Sequence, residues 1–202
     1  MDIFRRMPVR TQRERSEATT SELLDAARRL FAADGYAATS LDDVVRGAGV
    51  TKGALYHHFA GKRDLFLAVY EREQQRLAQA QFAAFQRRKG AWEGFLAAAQ
   101  AFFEGSLDPG VQRITLLDAP SVLGWEAMRE VESRYALVQL HQGIEALIHD
   151  GHLAPRPVAP LANLLLGAMC EAAMMVARAP NPRAATREVL AELRALLEAL
   201  RT

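Results

Sequence analysis

The sequence predicts an all-α protein with two parts: an N-terminal three-helix unit that contains a helix-turn-helix, followed by a larger helical domain. Three observations lead to this prediction. Proline is absent between Val9 and Asp108. No segment alternates apolar and polar residues over enough positions to indicate a strand. Apolar residues instead recur at helical spacing, and glycines stand where several of these segments end.

Chain length and the distribution of charge indicate the size of the domains and the kind of molecule that the N-terminal part binds. The 202 residues suffice for one sizeable core, or for a small domain joined to a larger one. Residues 1–63 carry eleven Lys or Arg against eight Asp or Glu, whereas residues 64–202 carry fourteen against sixteen. A basic front on an acidic body favours a polyanionic partner for the front.

The single cysteine and the lack of an export signal bear on the compartment. Cys170 stands alone, so no intrachain disulfide can form, which favours a reducing environment. The first residues contain no apolar signal-peptide core. The longest apolar run, Leu164 to Met175, is interrupted by Glu171 and is shorter than the roughly 20 residues that span a bilayer. We therefore expect a cytoplasmic protein that does not enter a membrane.

The N-terminal part begins with a basic tail and a first helix. We expect residues 1–15 to form a flexible basic tail, because charged chain ends are commonly mobile. The first helix should run from about Ser16 to Ala33, and Gly35 should end it. The predicted N-terminal domain covers residues 16–63.

Two further helices with a glycine between them form the helix-turn-helix. Ser40 is a favourable N-cap for a short second helix, and Thr51 is one for a third. Gly49 lies between these helices and can take the left-handed conformation of a tight turn. Two short helices joined in this way are typical of the helix-turn-helix, which we place at about residues 40–59.

The outward face of the third helix carries groups suited to nucleic acid. Lys52 can reach a phosphate or a base edge, and Gly53 permits close approach of the backbone. Tyr56 and His57 place polar atoms on rigid rings, and Thr51 adds a hydroxyl. The alternative is a solvated helix with charges of no consequence, but a face without apolar residues on so short a helix favours DNA contact.

Other chemistries find little support in the sequence. Adjacent His57 and His58 point about 100° apart on a helix and cannot bind one ion together, since helical zinc pairs use i,i+4 spacing. Cys170 lies in an apolar helix, where a free thiol usually packs as a small hydrophobe. The sequence contains no nucleophile-elbow, phosphate-loop or dinucleotide-type glycine pattern. We expect no metal site, no cofactor and no enzymatic activity.

Residues 64–202 should form a second, larger helical domain that also mediates dimerisation. Helices are expected at about 64–88, 92–106, 111–117, 123–150, 161–179 and 182–200. The helix over 161–179 is apolar on nearly every side, so it should be buried on every side, and a second copy of the chain can cover its second face. We predict a homodimer interface at Leu161, Leu165, Ala168, Ala172, Met175, Val189, Leu193, Leu196, Leu197 and Leu200.

The segment SLDDVVRGAGVTKGALYHHFAGKRDLF resembles the DNA-binding segment of the TetR (tetracycline-repressor-like) family of bacterial transcriptional regulators. The resemblance covers roughly Ser16 to Tyr70 and follows the family pattern almost residue for residue. Val45 departs from it, because the family usually has alanine there. The resemblance implies that His58 braces the third helix. It also implies DNA contacts at Ser40, Thr51, Lys52, Gly53, Tyr56, His57 and Lys62.

The resemblance also implies how the protein works. It is expected to be a homodimeric repressor that binds a palindromic double-stranded DNA operator and leaves it when a small apolar or amphipathic effector binds the body. Two alternatives stay open: a helical ligand-binding enzyme or carrier with a vestigial DNA-binding head, and a transcriptional activator that uses the same head. The presence of Lys52, Tyr56 and Lys62 argues against a vestigial head.

The resemblance implies that residues 64–202 form an effector-binding and dimerisation domain, which would hold the effector in a cavity between its central helices. We expect apolar and aromatic residues to line this cavity and a few polar residues to orient the ligand. The candidates are Phe95, Phe102, Phe103, Leu116, Trp125, Arg129, Tyr135, His141, Asn163, Met169, Glu171, Met174 and Arg178. For each of them, a place in the ordinary core or on a solvated face is the alternative.

Overall fold

The computed structural model describes residues 11–201, and within this range the chain is helical, with turns and loops but no strand. It divides into two compact units, a head that ends at Val69 and a body that begins at Tyr70. The sequence-based division fell after residue 63, near the start of a long helix. The observed division lies inside that helix.

Four helices begin in the head: α1 (Gln12–Ala38), α2 (Leu41–Ala48), α3 (Lys52–His58) and α4 (Lys62–Gln86). Thr11 caps α1 in a capping box. The Thr11 hydroxyl accepts from the Glu14 N–H, and the Glu14 carboxylate accepts from the Thr11 N–H. The prediction of a flexible tail is therefore wrong for residues 11–15. The rest of the predicted tail, residues 1–10, lies outside the described residues.

Gly35 bends α1 where the sequence predicted its end. Its φ of 80° and ψ of 170° are not helical, yet helical backbone resumes and continues to Ala38. The Thr39 hydroxyl donates to the Gly35 carbonyl at 2.9 Å, which satisfies an acceptor at the break. The predicted helix stop is therefore a kink, after which one more turn leads into α2.

The head has its own aromatic and aliphatic core. Phe31 of α1 and Phe66 of α4 are fully buried, with ring centroids 5.1 Å apart in an edge-to-face arrangement. Leu23, Val44 and Leu55 are also fully buried and bring one residue each from α1, α2 and α3 into the head's interior. The interior faces of α2 and α3 therefore need no other cover.

The body contains seven further α-helices and one π-helix, named here π1. They are α5 (Ala91–Gly105), α6 (Pro109–Val111), π1 (Gln112–Asp118), α7 (Ala119–Val122), α8 (Gly124–Arg134), α9 (Ala136–His149), α10 (Val158–Arg178) and α11 (Pro182–Glu198). Two predictions fail here. The expected helix over 123–150 breaks at Tyr135, whose φ of −123° and ψ of −78° are not helical. The expected α-helix over 111–117 is largely π-helical.

The body core forms between α5, α9, α10 and α11. Phe103, Ile144 and Leu147 are buried at its centre. Leu165 of α10 and Leu197 of α11 pack into the same cluster. One face of α10 and one face of α11 are therefore already covered within a single chain.

The length of α10 also bears on membranes. Its 21 residues reach a mean hydropathy of 1.5 in the most apolar window, so by length and composition it could cross a bilayer. The sequence-based expectation counted only Leu164 to Met175, whereas the helix extends from Val158 to Arg178. This is weak evidence for a membrane span, because core helices of soluble proteins meet the same criterion.

Candidate nucleic-acid interface and ligand cavities

The turn between α2 and α3 has the geometry that the sequence predicted. Gly49 adopts φ 68° and ψ 26°, the left-handed region that glycine enters without steric cost. Ser40 caps α2 by accepting from the Asp43 N–H, and Thr51 caps α3 by accepting from the Ala54 N–H at 3.2 Å. The helix-turn-helix is confirmed at the level of backbone geometry.

The two cap hydroxyls differ in what they leave available. The Ser40 hydroxyl also donates to Asp43 Oδ2 at 2.6 Å, so both its donor and an acceptor site are in use. This hydrogen bond lowers the pKa of Asp43 more than any other contact, and the neighbouring Arg46 lowers it further. Thr51 is exposed, and among the described residues of the head its hydroxyl accepts from the Ala54 N–H and donates to no neighbour. Its O–H can therefore donate to a phosphate without breaking the cap.

Lys52 is held by a neighbour on α2. Its Nζ lies 2.7 Å from Asp42 Oδ1, and this hydrogen bond raises the pKa of Lys52. Both side chains are exposed, where such pairs contribute little stability and exchange readily. The contact positions the ammonium beside the turn, and at least one of its three N–H donors remains for another acceptor.

Gly53, Tyr56 and His57 form the outward surface of α3. An added Cβ at Gly53 would meet only Thr51 Oγ1, at an ordinary 3.9 Å, among the described residues. The head's packing therefore does not require a glycine there. Tyr56 is 52% exposed, and His57 is exposed beside it. This face contributes nothing to the head's interior.

His58 lies behind this surface, as the resemblance implied. Its Nδ1 is 3.4 Å from Thr20 Oγ1 on α1. The Thr20 hydroxyl already donates to the Ser16 carbonyl at 3.0 Å, so the imidazole must be the donor in this contact. His58 therefore links α3 to α1.

The Lys62 ammonium makes hydrogen bonds within its own chain that the sequence did not predict. Its Nζ donates to the carbonyls of Thr39 at 2.8 Å and Ala37 at 3.3 Å. It also lies 4.3 Å from the centre of the Tyr36 ring, within cation–π range. These carbonyls belong to the end of α1, where helical acceptors lack partners. Lys62 therefore fastens the end of α1, and its DNA contact stays a prediction.

Sequence reasoning missed the contribution of α1 to the same surface. A shallow cleft of about 480 Å³ runs between the start of α1 and the outer side of α3. It is lined by Gln12, Arg13, Arg15, Ser16, Thr19, Ala54, His57 and His58. Arg13 and Arg15 were assigned to a flexible tail. The capping motif at Thr11 is the signal that would have placed them on a helix.

The body contains a cavity of about 300 Å³ between α4, α5, π1, α8 and α10, which we call the Tyr70 cavity. Six of the residues predicted for an effector pocket line it: Phe102, Leu116, Trp125, Arg129, Glu171 and Met174. Among the lining residues that sequence reasoning missed are Tyr70, Gln74, Glu132 and Cys170. Their positions depend on how α4 and α8 pack, which a single-sequence pattern does not reveal.

Polar groups of the Tyr70 cavity are electrostatically coupled. Burial raises the pKa of Glu132, which Arg129 opposes from 3.1 Å away. Burial, followed by the nearby Glu132 charge, raises the pKa of the Cys170 thiol to about 11. The pKa of Tyr70 is raised by the same two causes, and the Gln74 amide acts in the opposite direction. Cys170 is therefore a neutral thiol at physiological pH.

A second cavity of about 220 Å³, the Phe85 cavity, lies between α4, α5 and α9. Two predicted pocket residues, Phe95 and Met169, line this cavity and do not line the Tyr70 cavity. Gln81 lines both cavities. The sequence predicted one pocket, whereas its candidate residues are divided between two cavities that share Gln81.

The remaining predicted pocket residues are elsewhere. Phe103 is buried in the core cluster, and the Tyr135 hydroxyl donates to Glu71 at 3.0 Å. Asn163 is exposed and donates to the Ala159 carbonyl of its own helix. Arg178 is exposed at the end of α10, and His141 lines neither cavity. These five residues line neither the Tyr70 cavity nor the Phe85 cavity, because helical spacing alone did not show which face of each helix the body core occupies.

The predicted dimer face is only partly available. Leu165, Leu193 and Leu197 are buried within the chain itself and pack in its own core. Met175 and Leu196 are 53% and 60% exposed. A groove of about 520 Å³ between α10 and α11 is lined by Phe103, Ala168, Met169, Ala172, Met175, Glu188, Val189, Glu192, Leu193 and Leu196. The predicted Leu161 and Leu200 are half-buried against the core.

In the described part of the chain, His, Cys, Asp and Glu do not gather in groups of three that could hold a metal ion. The head presents a capped helix-turn-helix whose outer face is polar, exposed and unused in packing. These features define a helix-turn-helix protein of the DNA-binding class.

Two family models match the chain. The model of bacterial regulatory proteins of the tetR family matches residues 23–69, and that of the tetracyclin repressor-like C-terminal domain matches residues 92–200. The chain therefore belongs to the TetR family of transcriptional regulators. Members of this family are soluble cytoplasmic proteins that bind DNA operators and small effectors and act as dimers.

Individual proteins agree with this assignment. The Transposon Tn10 TetC protein of Escherichia coli is 28% identical over 156 residues, which cover 77% of this chain and 79% of that protein. A TetR-family regulator from Pectobacterium atrosepticum superposes with a TM-score of 0.81 at 35% identity, covering 96% of this chain and 98% of that one. The regulator FadR from Bacillus subtilis, solved in complex with stearoyl-CoA, shares the fold at 19% identity and a TM-score of 0.71, covering 86% and 96%.

Proposed function

We propose that this regulator is a repressor that binds a palindromic operator as a homodimer and is released when a small apolar or amphipathic effector enters its body. The observation that carries the proposal is the outer face of α3. Gly53, Tyr56 and His57 are exposed and take no part in the head's core. A surface of this kind, next to a glycine turn, suits the DNA major groove.

The base-reading group comprises Lys52, Gly53, Tyr56 and His57 on α3. Thr51 donates its hydroxyl to a flanking phosphate. Ser40 can contribute a phosphate contact only by giving up its bond to Asp43. Arg13 and Arg15, at the cleft beside His57, extend the contact along the DNA backbone.

Exposed apolar side chains on α10 and α11 support the homodimer. Leu164, Met175 and Leu196 are each more than half exposed on helices whose other faces are in the core. Adjacent exposed apolar side chains of this size mark an interaction surface. A second copy would cover these side chains and place two recognition helices about one DNA turn apart.

The Tyr70 cavity supports a small effector. Apolar and aromatic side chains form most of its wall, and a few polar groups, including Arg129 and Glu171, can orient a ligand. Tyr70, Gln74 and Leu77 of α4 line it, and α4 also carries residues of the head. A ligand that moves α4 therefore acts on an element that both units share.

The test starts with selection of an operator from random duplexes. The parent protein should enrich a palindrome, and Tyr56→Ala should lose about 1–3 kcal/mol of binding free energy if the ring contacts a base directly. In a reporter strain, the operator placed over a promoter should reduce expression only when the regulator is present. Enrichment of no sequence would remove the proposal, and increased expression would identify an activator.

A further inference from the structure

The two cavities point to the chemical class of the effector, an inference that rests on the proposed function. We infer that the effector is an elongated, uncharged amphipath with a carbonyl group at one end. Its carbonyl lies in the Tyr70 cavity and its apolar tail lies in the Phe85 cavity, beyond Gln81. The proposal stands on three observations: unpaired donors at one end, the charge balance there, and a residue common to both cavities.

The first observation is a pair of buried donors. The Tyr70 hydroxyl is buried; the Gln74 amide lies near its oxygen as a donor, but within residues 11–201 no acceptor meets its O–H with hydrogen-bond geometry. Nη1 of Arg129 forms an ion pair with Glu132 at 3.1 Å but is not aligned for a hydrogen bond, so its N–H also lacks a partner in this range. Both residues line the Tyr70 cavity. Buried polar groups are normally satisfied, so a ligand that supplies an acceptor fits here.

The second observation is the charge around these donors. Arg129 is already balanced by Glu132, and Glu171 adds a further carboxylate to the wall. A ligand carboxylate would bring a further negative charge beside the largely buried Glu132, which is unfavourable. An ammonium group would suit the charge but would offer no acceptor to Tyr70 or Arg129. A ketone, ester or amide carbonyl meets both conditions.

The third observation is how the cavities adjoin. Gln81 lines both. Beside it, Gln139 of the Phe85 cavity donates its amide to the carbonyl of Ala78, a residue of the Tyr70 cavity, at 2.7 Å. The volumes of about 300 and 220 Å³ are at or below the lower end of ligand pockets, which is about 300 Å³. Together they reach the usual range.

The Phe85 cavity suits an apolar tail. Phe82, Phe85, Phe95 and Leu140 are among its lining residues, and it contains no residue with a charged side chain. The polar lining residues there are glutamines, whose amides can satisfy one another or water at the edge. The Tyr70 cavity, by contrast, contains Arg129 and two carboxylates. The two ends therefore differ in polarity as an amphipath does.

The test uses a homologous series of alkan-2-ones of increasing chain length on the full-length protein without DNA. Affinity should rise about fourfold per added methylene until both cavities are filled. Alkanoates and alkylammonium ions of equal length should bind more weakly. Cys170 lines the Tyr70 cavity and is the only cysteine, so bound ketone should slow its alkylation measured near pH ~9.

Two matched variants separate the cavities. Ala98→Leu fills the Phe85 cavity, and Ala136→Leu fills the Tyr70 cavity, with the same change at two half-buried positions. Ala98→Leu should leave short ketones unaffected and end the gain in affinity at a shorter chain, whereas Ala136→Leu should weaken the whole series. Tyr70→Phe removes only a hydroxyl. It should weaken ketones at every length and leave the dependence on length unchanged.

Each part can be overturned. Tighter binding of alkanoates or alkylammonium ions than of ketones would remove the carbonyl assignment. An equal effect of Ala98→Leu at every chain length, or no effect at any, would remove the two-cavity placement, and the parent series tests length dependence even if a variant fails to fold. Ketones that bind as inferred but leave operator affinity unchanged would contradict the proposed function alone.

Discussion

At the scale of single residues, burial and hydrogen-bond partners separate side chains that look equivalent in the sequence. Lys52 and Lys62 both flank the recognition helix. Lys52 is exposed and pairs with a carboxylate that exchanges readily, whereas the Lys62 ammonium donates to two carbonyls of its own chain. The first is available to DNA, and the second stabilises the head.

Lys62→Met should therefore reduce stability more than DNA affinity. The substitution keeps much of the aliphatic chain and removes the donors to Ala37 and Thr39, so we expect a loss of about 1.5 kcal/mol in the free energy of unfolding. Urea denaturation measures this change. The slope of log affinity against log salt should stay as in the parent. A slope reduced by about one would show that Lys62 binds a phosphate after all.

Gly53→Ala tests whether DNA approaches α3 closely. The added methyl group meets nothing nearer than 3.9 Å in the head, and alanine favours a helix over glycine by up to about 1 kcal/mol, so stability should be equal or higher. Operator affinity should fall at least tenfold in a binding titration. Gly47→Ala is the control, because its Cβ would point at Ala26, 3.6 Å away inside the head. Equal operator binding by both variants would show that Gly53 is not at the DNA surface.

At the scale of elements, the sides of α10 and α11 are divided between the core and a surface. Apolar residues point in nearly every direction from α10, but the chain itself covers Leu165, Leu166 and Met169. Leu164 and Met175 remain exposed.

A further element, π1, lines the Tyr70 cavity through Thr115 and Leu116, and π-helical turns are frequent at functional sites.

Leu196→Arg and Leu197→Arg should have opposite outcomes although the residues are adjacent. Leu196 is 60% exposed, so arginine there should yield a folded monomer with the parent's helical content. Leu197 is fully buried, and an unpaired charge at that position should unfold the body. Light scattering gives the mass, and circular dichroism gives the helical content. A folded dimer of the Leu196→Arg protein would place the interface elsewhere.

At the scale of the whole molecule, the two units share one helix. The division between head and body falls between Val69 and Tyr70, inside α4. Because α4 lines the Tyr70 cavity on the body side, we expect effector binding and operator binding to be linked through this helix. Linkage is reciprocal, so each ligand changes the affinity for the other by the same factor.

An effector that fills the Tyr70 cavity should lower operator affinity about 5- to 150-fold, which corresponds to a coupling free energy of about 1–3 kcal/mol. Operator titrations with and without the effector give one factor, and effector titrations with and without the operator give the other. The two factors should agree. Ala136→Leu, which fills the cavity, should bind the operator but lose its response to the effector. A full response from that variant would place the effector outside this cavity.

The helix-turn-helix of the head could be predicted from the sequence alone. The caps at Ser40 and Thr51 and the left-handed turn at Gly49 are local, since each depends on neighbours within a few residues. They were predicted at the correct positions for that reason. The all-helical class followed from periodicity, which is also a local property.

The contacts between distant segments, in contrast, could be known only from the tertiary structure. The role of Lys62 depends on carbonyls 23 and 25 residues earlier in the chain, and no local pattern links them. Likewise, the Tyr70 cavity and the burial of Leu197 result from several helices packing together, so their lining cannot be read from the spacing within one helix. Helical periodicity gives the apolar side of a segment, and packing against distant segments then determines whether that side becomes core, cavity or exposed surface.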